Sequence, residues 1–103
     1  MKGLNPIIHQ PVRLRVMATL TALDQSERID FTALRDLLDV TDGNLGAHLV
    51  KLENEGYIAV TKTFVRRKPR TYVSATSAGR AAFDEHVASL EAILRGGEGG
   101  EGK

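Results

Sequence analysis

The chain has 103 residues, a formal net charge of +1, and a composition that is 42% hydrophobic and 26% charged. This length suits one domain with a modest core, and the lack of cysteine excludes disulfides, thiolate metal sites and cysteine nucleophiles. No apolar run approaches the ~20 residues that cross a bilayer, and the first residues do not resemble a secretory signal. We therefore expect a cytoplasmic protein with no membrane partner.

The first predicted helix begins at Pro11, because the fixed φ of proline suits the first helical position. Apolar residues recur from there at steps of four, four and three as far as Leu23. This pattern predicts a helix of about four turns that ends near Asp24. A short extended segment is predicted at residues 29–31.

Two further helices follow with little chain between them. Asp30 or Thr32 can cap the second helix. Thr41 can cap the third, which is predicted over residues 42–55, and Gly56 is a good residue to end it. The predicted buried residues are Leu34, Leu37 and Leu38 in the second helix, and Leu45, Leu49 and Leu52 in the third.

Two runs of β-forming residues, 57–64 and 71–75, predict a hairpin. The basic segment at residues 66–70 is its predicted tip. Pro69 in this segment either stiffens the tip or is an ordinary turn residue. Two short helices followed by a hairpin make a helix-turn-helix with a wing. The predicted fold class is therefore α+β, mostly helical: a winged helix-turn-helix with a C-terminal dimerisation helix.

The last predicted helix spans residues 77–95 and is capped by Thr76 or Ser77. Its apolar residues recur at steps of four, three and four, which is the spacing of a coiled-coil contact. The stripe could pack back on the first helix, but we favour self-association, with the N-terminal apolar residues beside it. The domain is expected to span residues 1–95, with a disordered Gly-rich tail at 96–103. The predicted dimer interface comprises Leu4, Ile7, Ile8, Phe83, Val87, Leu90 and Leu94.

The third helix carries the candidate base-contacting residues. When its leucines face inward, Asn44, His48 and Lys51 lie on another face, close to the small Gly43 and Ala47. Asparagine pairs with adenine, lysine reaches guanine or phosphate, and histidine donates to either, while small residues let the backbone approach a duplex. The alternative is that these residues are polar side chains that face solvent and bind nothing. The basic hairpin that follows favours contact with DNA.

The predicted wing carries five cations and no acid between Lys62 and Arg70, so the rest of the chain sums to −4. Five like charges on a short loop repel one another, and a phosphate backbone supplies a reason to gather them. Arginines there could also enter a narrow minor groove. A solvated loop that aids solubility is the alternative. The predicted DNA-binding residues are Thr41, Gly43, Asn44, Ala47, His48, Lys51, Lys62, Arg66, Arg67, Lys68 and Arg70.

Several stretches resemble the winged-helix regulators of the MarR and ArsR type, most closely their minimal stand-alone form. Residues 9–17 resemble the first helix of that family, 41–49 the third helix, 51–58 the junction with the wing, and 76–80 the start of the last helix. The resemblance covers roughly residues 7–95. It implies a dimeric repressor or activator that binds double-stranded DNA, and a twofold dimer implies an inverted-repeat site.

Catalysis finds little support in the sequence. His9, His48 and His86 show no metal-ligand spacing, and no Gly-rich loop follows a strand and opens a helix. We therefore expect no enzyme activity, no cofactor and no metal, and we assign no small-molecule effector. The rival interpretation is a winged-helix protein-interaction module in a larger assembly, and the basic wing argues against it.

Overall fold

The computed structural model describes residues 3–96, whose helices and strands form an α+β winged helix-turn-helix, as the sequence predicts. Residues 97–103 of the tail, which was expected to be disordered from residue 96 onward, lie outside the described residues, as do residues 1 and 2. The antiparallel sheet has β3 in its centre, between β1 and β2. The elements are α1 (Pro11–Thr21), β1 (Ile29–Asp30), α2 (Phe31–Leu38), α3 (Asp42–Asn54), β2 (Ile58–Val65), β3 (Lys68–Ala75) and α4 (Ser77–Leu94).

Side-chain caps set where the helices begin. Asp30, Thr41 and Thr76 each accept a hydrogen bond from the backbone N–H three residues further on, at the starts of α2, α3 and α4. Gln10 does the same for α1 and was not predicted to do so. Gly56 follows α3 with a φ of +80°, a conformation that glycine adopts without steric cost. These local signals explain why the predicted helix starts agree with the structure.

Helix α1 is shorter than its apolar periodicity predicts, since it ends at Thr21 and not near Asp24. The guanidinium of Arg80, on α4, donates hydrogen bonds to the carbonyls of Thr21, Leu23 and Asp24 at 2.9–3.2 Å. These bonds satisfy backbone carbonyls at and just beyond the C-terminal end of α1, where intrahelical partners are lacking. The end of α1 is therefore held by a side chain of α4, and the bond between Arg80 and Leu23 joins residues that are 57 positions apart.

The core lies between the helices and one face of the sheet. Leu37 was predicted to belong to it and does not, because its side chain is 61% exposed on the outer face of α2. In contrast, Ile8 of the N-terminal segment is fully buried. The buried apolar residues are Ile8, Val16, Met17, Leu20, Leu34, Leu38, Leu45, Leu49, Leu52, Ile58 and Val73.

The hairpin of β2 and β3 has a tighter tip than the sequence predicts. Val65 pairs with Lys68, so the turn consists only of Arg66 and Arg67. Pro69 lies within β3 and neither forms nor stiffens the tip. The edge of β3 at this proline has no strand beside it, because β1 reaches only as far as Tyr72. Proline, which has no N–H to donate, is tolerated in a strand at such an edge.

Helix α4 approaches the base of the hairpin closely at Gly79. A Cβ atom added there would overlap the backbone carbonyl of Tyr57. Thr76, which caps α4, also donates its hydroxyl to the carbonyl of Gly56 at 2.6 Å. The start of α4 is thus fixed to the end of α3 and the start of β2. Within residues 3–96, no helix is both long and apolar enough to span a membrane.

Candidate nucleic-acid interface

Helix α3 presents an exposed face that only partly matches the predicted one. Gly43, Asn44, Ala47 and Lys51 are exposed, as the outward position of that face requires. Val50 is also on this side and is 56% exposed. The sequence gives no signal for this exposure, because an apolar residue next to a leucine stripe is expected to be buried. An exposed valine on a helix can contact the methyl group of thymine.

His48 is less exposed than the other predicted residues of α3. Its ring is half-buried against α1, and its Nδ1 is 3.1 Å from the guanidinium nitrogen Nη1 of Arg13. Because arginine only donates, Nδ1 accepts and the neutral ring carries its proton on Nε2. Burial, and then the charge of Arg13, lowers the pKa of His48. His48 therefore lies at the edge of the face that carries Asn44 and Lys51, where that face meets α1.

Arg35 of α2 forms two ion pairs close to the start of α3. Arg35 of α2 donates to the carboxylate of Asp42 at 2.7 Å and to that of Asp36 at 2.9 Å. The hydrogen bond to Asp42, followed by that to Asp36, raises the pKa of Arg35. A carboxylate at this helix N-terminus would repel a nearby phosphate, and its pairing with Arg35 reduces that repulsion. Thr41, which precedes Asp42, is engaged as the helix cap.

The predicted wing cations are all exposed, and none has an ion pair or side-chain hydrogen bond within residues 3–96. The strand register divides them. Arg66 and Arg67 form the turn, Lys68 and Arg70 lie on one face of the hairpin, and Lys62 lies on the other. The wing therefore presents positive charge in three directions from a narrow hairpin.

A cleft separates α3 from the wing. Its volume is about 260 Å³, and it opens to solvent. The residues that line it are Phe31 of α2, Gly46, Leu49, Val50 and Glu53 of α3, Val60 and Lys62 of β2, and Thr71 of β3. The sequence did not predict this cleft, because it depends on how the hairpin packs against the helix.

Arg13 and Arg15 of α1 both donate hydrogen bonds to backbone carbonyls. The Nε of Arg13 donates to the carbonyl of Ile7 at 2.6 Å, and Arg15 donates to the carbonyl of Leu38 at 2.9 Å. Both guanidinium groups therefore tie α1 to neighbouring backbone.

The residues predicted to form a dimer interface have different environments. Ile8 is fully buried in the core of its own chain, so it has no surface to offer a second copy. Phe83 is half-buried and packs against the core. Val87 and Leu90 are half-buried, whereas Leu94 is 76% exposed. Leu4 and Ile7, like Val87 and Leu90, are half-buried.

Two short helices joined by a tight turn, followed by a basic hairpin, define the class of winged-helix DNA-binding proteins. The family model described as "Winged helix DNA-binding domain" matches residues 12–94. The chain therefore belongs to this family of DNA-binding transcription regulators.

Individual relatives are consistent with this assignment. An uncharacterized protein of Methanocaldococcus jannaschii is 35% identical over 81 residues, which cover 79% of this chain and 85% of the relative. The solved structure of a transcriptional regulator homologue from Pyrococcus horikoshii OT3 is 33% identical with a TM-score of 0.80, covering 87% of this chain and 86% of that one. A regulator of the MarR family from Enterococcus faecalis V583 has a TM-score of 0.70 at 23% identity, covering 87% and 77%, and shows the likeness of fold alone.

Proposed function

We propose that this protein is a homodimeric, sequence-specific regulator of transcription in the cytoplasm, with α3 in the major groove of DNA and the wing on the adjacent backbone and minor groove. The observation that carries the proposal is the wing. Its five exposed cations have no acidic partner within residues 3–96, so their charges are available to phosphates. The same fold presents α3 beside this hairpin, across one open cleft.

Base contacts are assigned to the exposed face of α3. Asn44 can accept from and donate to the N6/N7 edge of adenine, and Lys51 can donate to guanine or phosphate. Gly43 and Ala47 carry no bulk that would hold the helix away from the bases. Val50 adds an apolar contact that suits a thymine methyl group.

His48 takes a different role in this proposal from the one first expected. Its contact with Arg13 joins α3 to α1, and Arg13 in turn holds the carbonyl of Ile7. His48 therefore acts as a positioning residue for α3. Removing its ring should change the stability of the domain more than its base preference.

Dimerisation is assigned to the C-terminal part of α4. None of the eight residues from Val87 to Leu94 is buried, although four of them are large and apolar. A helix end of about two turns is only marginally stable when nothing packs against it, and burial against a second copy would stabilise it. A twofold axis would set the two α3 helices ~34 Å apart and match an inverted repeat.

The proposal is tested by selecting bound sequences from a random pool of duplex DNA. The expected result is an enriched inverted repeat whose half-sites are centred about one helical turn apart. Enrichment of no sequence would refute specific binding, and a single asymmetric site would refute the dimeric arrangement.

The role of the wing is tested with Arg66→Ala. Loss of one phosphate contact should weaken binding to all sequences alike and reduce the slope of log K against log salt by about 0.9. Arg95→Ala, which removes the same charge from the exposed end of α4, is the matched control and should leave the slope unchanged. Equal slopes for all three proteins would show that the wing does not contact phosphate.

A further inference from the structure

Phe64 near the end of the wing is an apolar side chain that the fold does not need. It is 72% exposed and belongs to no part of the core. Its cross-strand partner is Pro69, so the two side chains lie side by side on one face of the hairpin. The phenylalanine and the proline together form a small apolar surface near the tip of the hairpin, where a partner can reach it.

The strand register fixes which face this pair occupies. Directly opposite residues share a face, and every second pair along the hairpin returns to it. The pair of Val60 and Val73 lies on the same face, and Val73 is fully buried in the core. The next pair towards the tip, formed by Lys62 and Thr71, lines the cleft beside α3. Phe64 and Pro69 thus extend the cleft-lining face towards the tip of the wing.

The charges around this apolar pair narrow the choice of partner. Lys62 lies two residues before Phe64 on the same face, Arg66 and Arg67 follow it in the turn, and no acid occurs between residues 62 and 70. A second copy of the same wing would be repelled by the same five charges. A partner that is both polyanionic and apolar fits instead, and the minor groove of DNA has that chemistry, with deoxyribose walls between two rows of phosphates.

We infer that Phe64, supported by Pro69, packs against the deoxyribose rings of the minor-groove wall on the strand that passes between α3 and the wing. This inference rests on the proposed function. The affinity of the wing for DNA then has two parts. The arginines contribute a salt-dependent contact, and Phe64 contributes an apolar contact that added salt does not screen.

Phe64→Ala tests the inference. Affinity for the selected duplex should fall by on the order of tenfold, because a large apolar contact is lost, while the slope of log K against log salt stays that of the wild type. Phe64→Leu retains an apolar side chain and should recover most of the affinity. The thermal midpoint should be the same in all three proteins, since Phe64 is 72% exposed in the free chain.

Hydroxyl-radical footprinting locates the contact on the DNA, because this reagent attacks deoxyribose hydrogens at the surface of the minor groove. The wild type should protect a short patch of sugars beside each half-site, and Phe64→Ala should lose protection there alone. Arg66→Ala is the comparison, and it should alter the salt slope instead.

The outcomes separate this inference from the proposed function. If Phe64→Ala binds like the wild type while Arg66→Ala binds more weakly, the apolar contact is refuted and DNA binding by the wing stands. A slope that changes with Phe64→Ala would also refute an apolar contact, as would a change in sedimentation, which would assign the pair to self-association. If the wild type binds no duplex, both proposals fail.

Discussion

His86 is an unusual residue at the centre of α4. It is 1% exposed, and its Nδ1 accepts a hydrogen bond from the backbone N–H of Asn5 at 3.0 Å. The neutral ring therefore carries its proton on Nε2, and this buried nitrogen has no hydrogen-bond partner among the described residues. The ring of His9 lies nearby, with 5.5 Å between centroids. Burial, and then the charge of His9, lowers the pKa of His86.

This environment predicts a dependence of stability on pH. The pKa of His86 is lower in the folded chain than its ordinary value of 6.5, so the unfolded chain takes up its proton first as the pH falls. The free energy of unfolding should be highest above that value and decrease as the pH falls below it, towards the folded pKa. His48 contributes in the same direction.

Urea denaturation at several pH values between about 5 and 7.5 measures this effect. His86→Gln still offers an oxygen acceptor to the N–H of Asn5 but does not titrate, so it should lose part of the pH dependence. His48→Gln should lose another part. The explanation is wrong if the wild type and both variants show the same change in unfolding free energy across this range.

At the scale of single elements, the turn of the wing has an unfavourable backbone conformation. Arg66 and Arg67 have φ values of 52° and 68°, both in the left-handed region. A two-residue hairpin turn of this kind favours Asn-Gly, and an ordinary L-residue there costs roughly 1–2 kcal/mol. Local stability therefore gives no reason for two arginines at these positions. Their charge at the projecting tip does give one.

Replacing this turn should separate stability from binding. The double variant Arg66→Asn with Arg67→Gly should raise the free energy of unfolding by about 1 kcal/mol or more, because both replacements accept a positive φ. The same variant should bind DNA more weakly because two tip charges are lost. Chemical denaturation and a binding titration measure the two effects.

The control for the turn variant is Arg66→Ala with Arg67→Ala, which removes the same charges without improving the turn. It should weaken binding to a similar degree and leave the stability unchanged or lower. A turn variant that is less stable than the wild type, or that binds DNA as tightly, would contradict this account.

For the whole molecule, the exposed end of α4 decides the oligomeric state. Leu94 is 76% exposed and Ile93 is 43% exposed, so a charge at either position should not disturb the fold of one chain. If the two residues lie in a dimer interface, Leu94→Glu should place a charge in that interface and yield monomers in analytical ultracentrifugation. It should also abolish the preference for an inverted repeat.

A matched control for this substitution is available on another helix. Leu37 of α2 is 61% exposed, and Leu37→Glu adds the same charge far from α4 in sequence. It should leave the sedimentation coefficient unchanged. Persistence of the dimer in Leu94→Glu, or its loss in Leu37→Glu, would show that the interface lies elsewhere.

Much of this architecture follows from short stretches of sequence. The start of α3 follows from the cap at Thr41, and its end from the glycine at 56, because both depend on neighbouring backbone groups. The local charge of the wing can likewise be counted directly between Lys62 and Arg70. Elements, their order and their net charge were therefore predictable without any knowledge of distant contacts.

Contacts between distant residues settled the rest. Arg80 of α4 donates hydrogen bonds to carbonyls at the end of α1, and Arg13 of α1 contacts the ring of His48 on α3. The register of β2 against β3 places Pro69 in a strand beside Phe64 and not in the predicted tip. Periodicity shows that a side chain lies on a face but not what packs against that face. Only the packing of elements far apart in the chain determines which residues remain exposed to meet a partner.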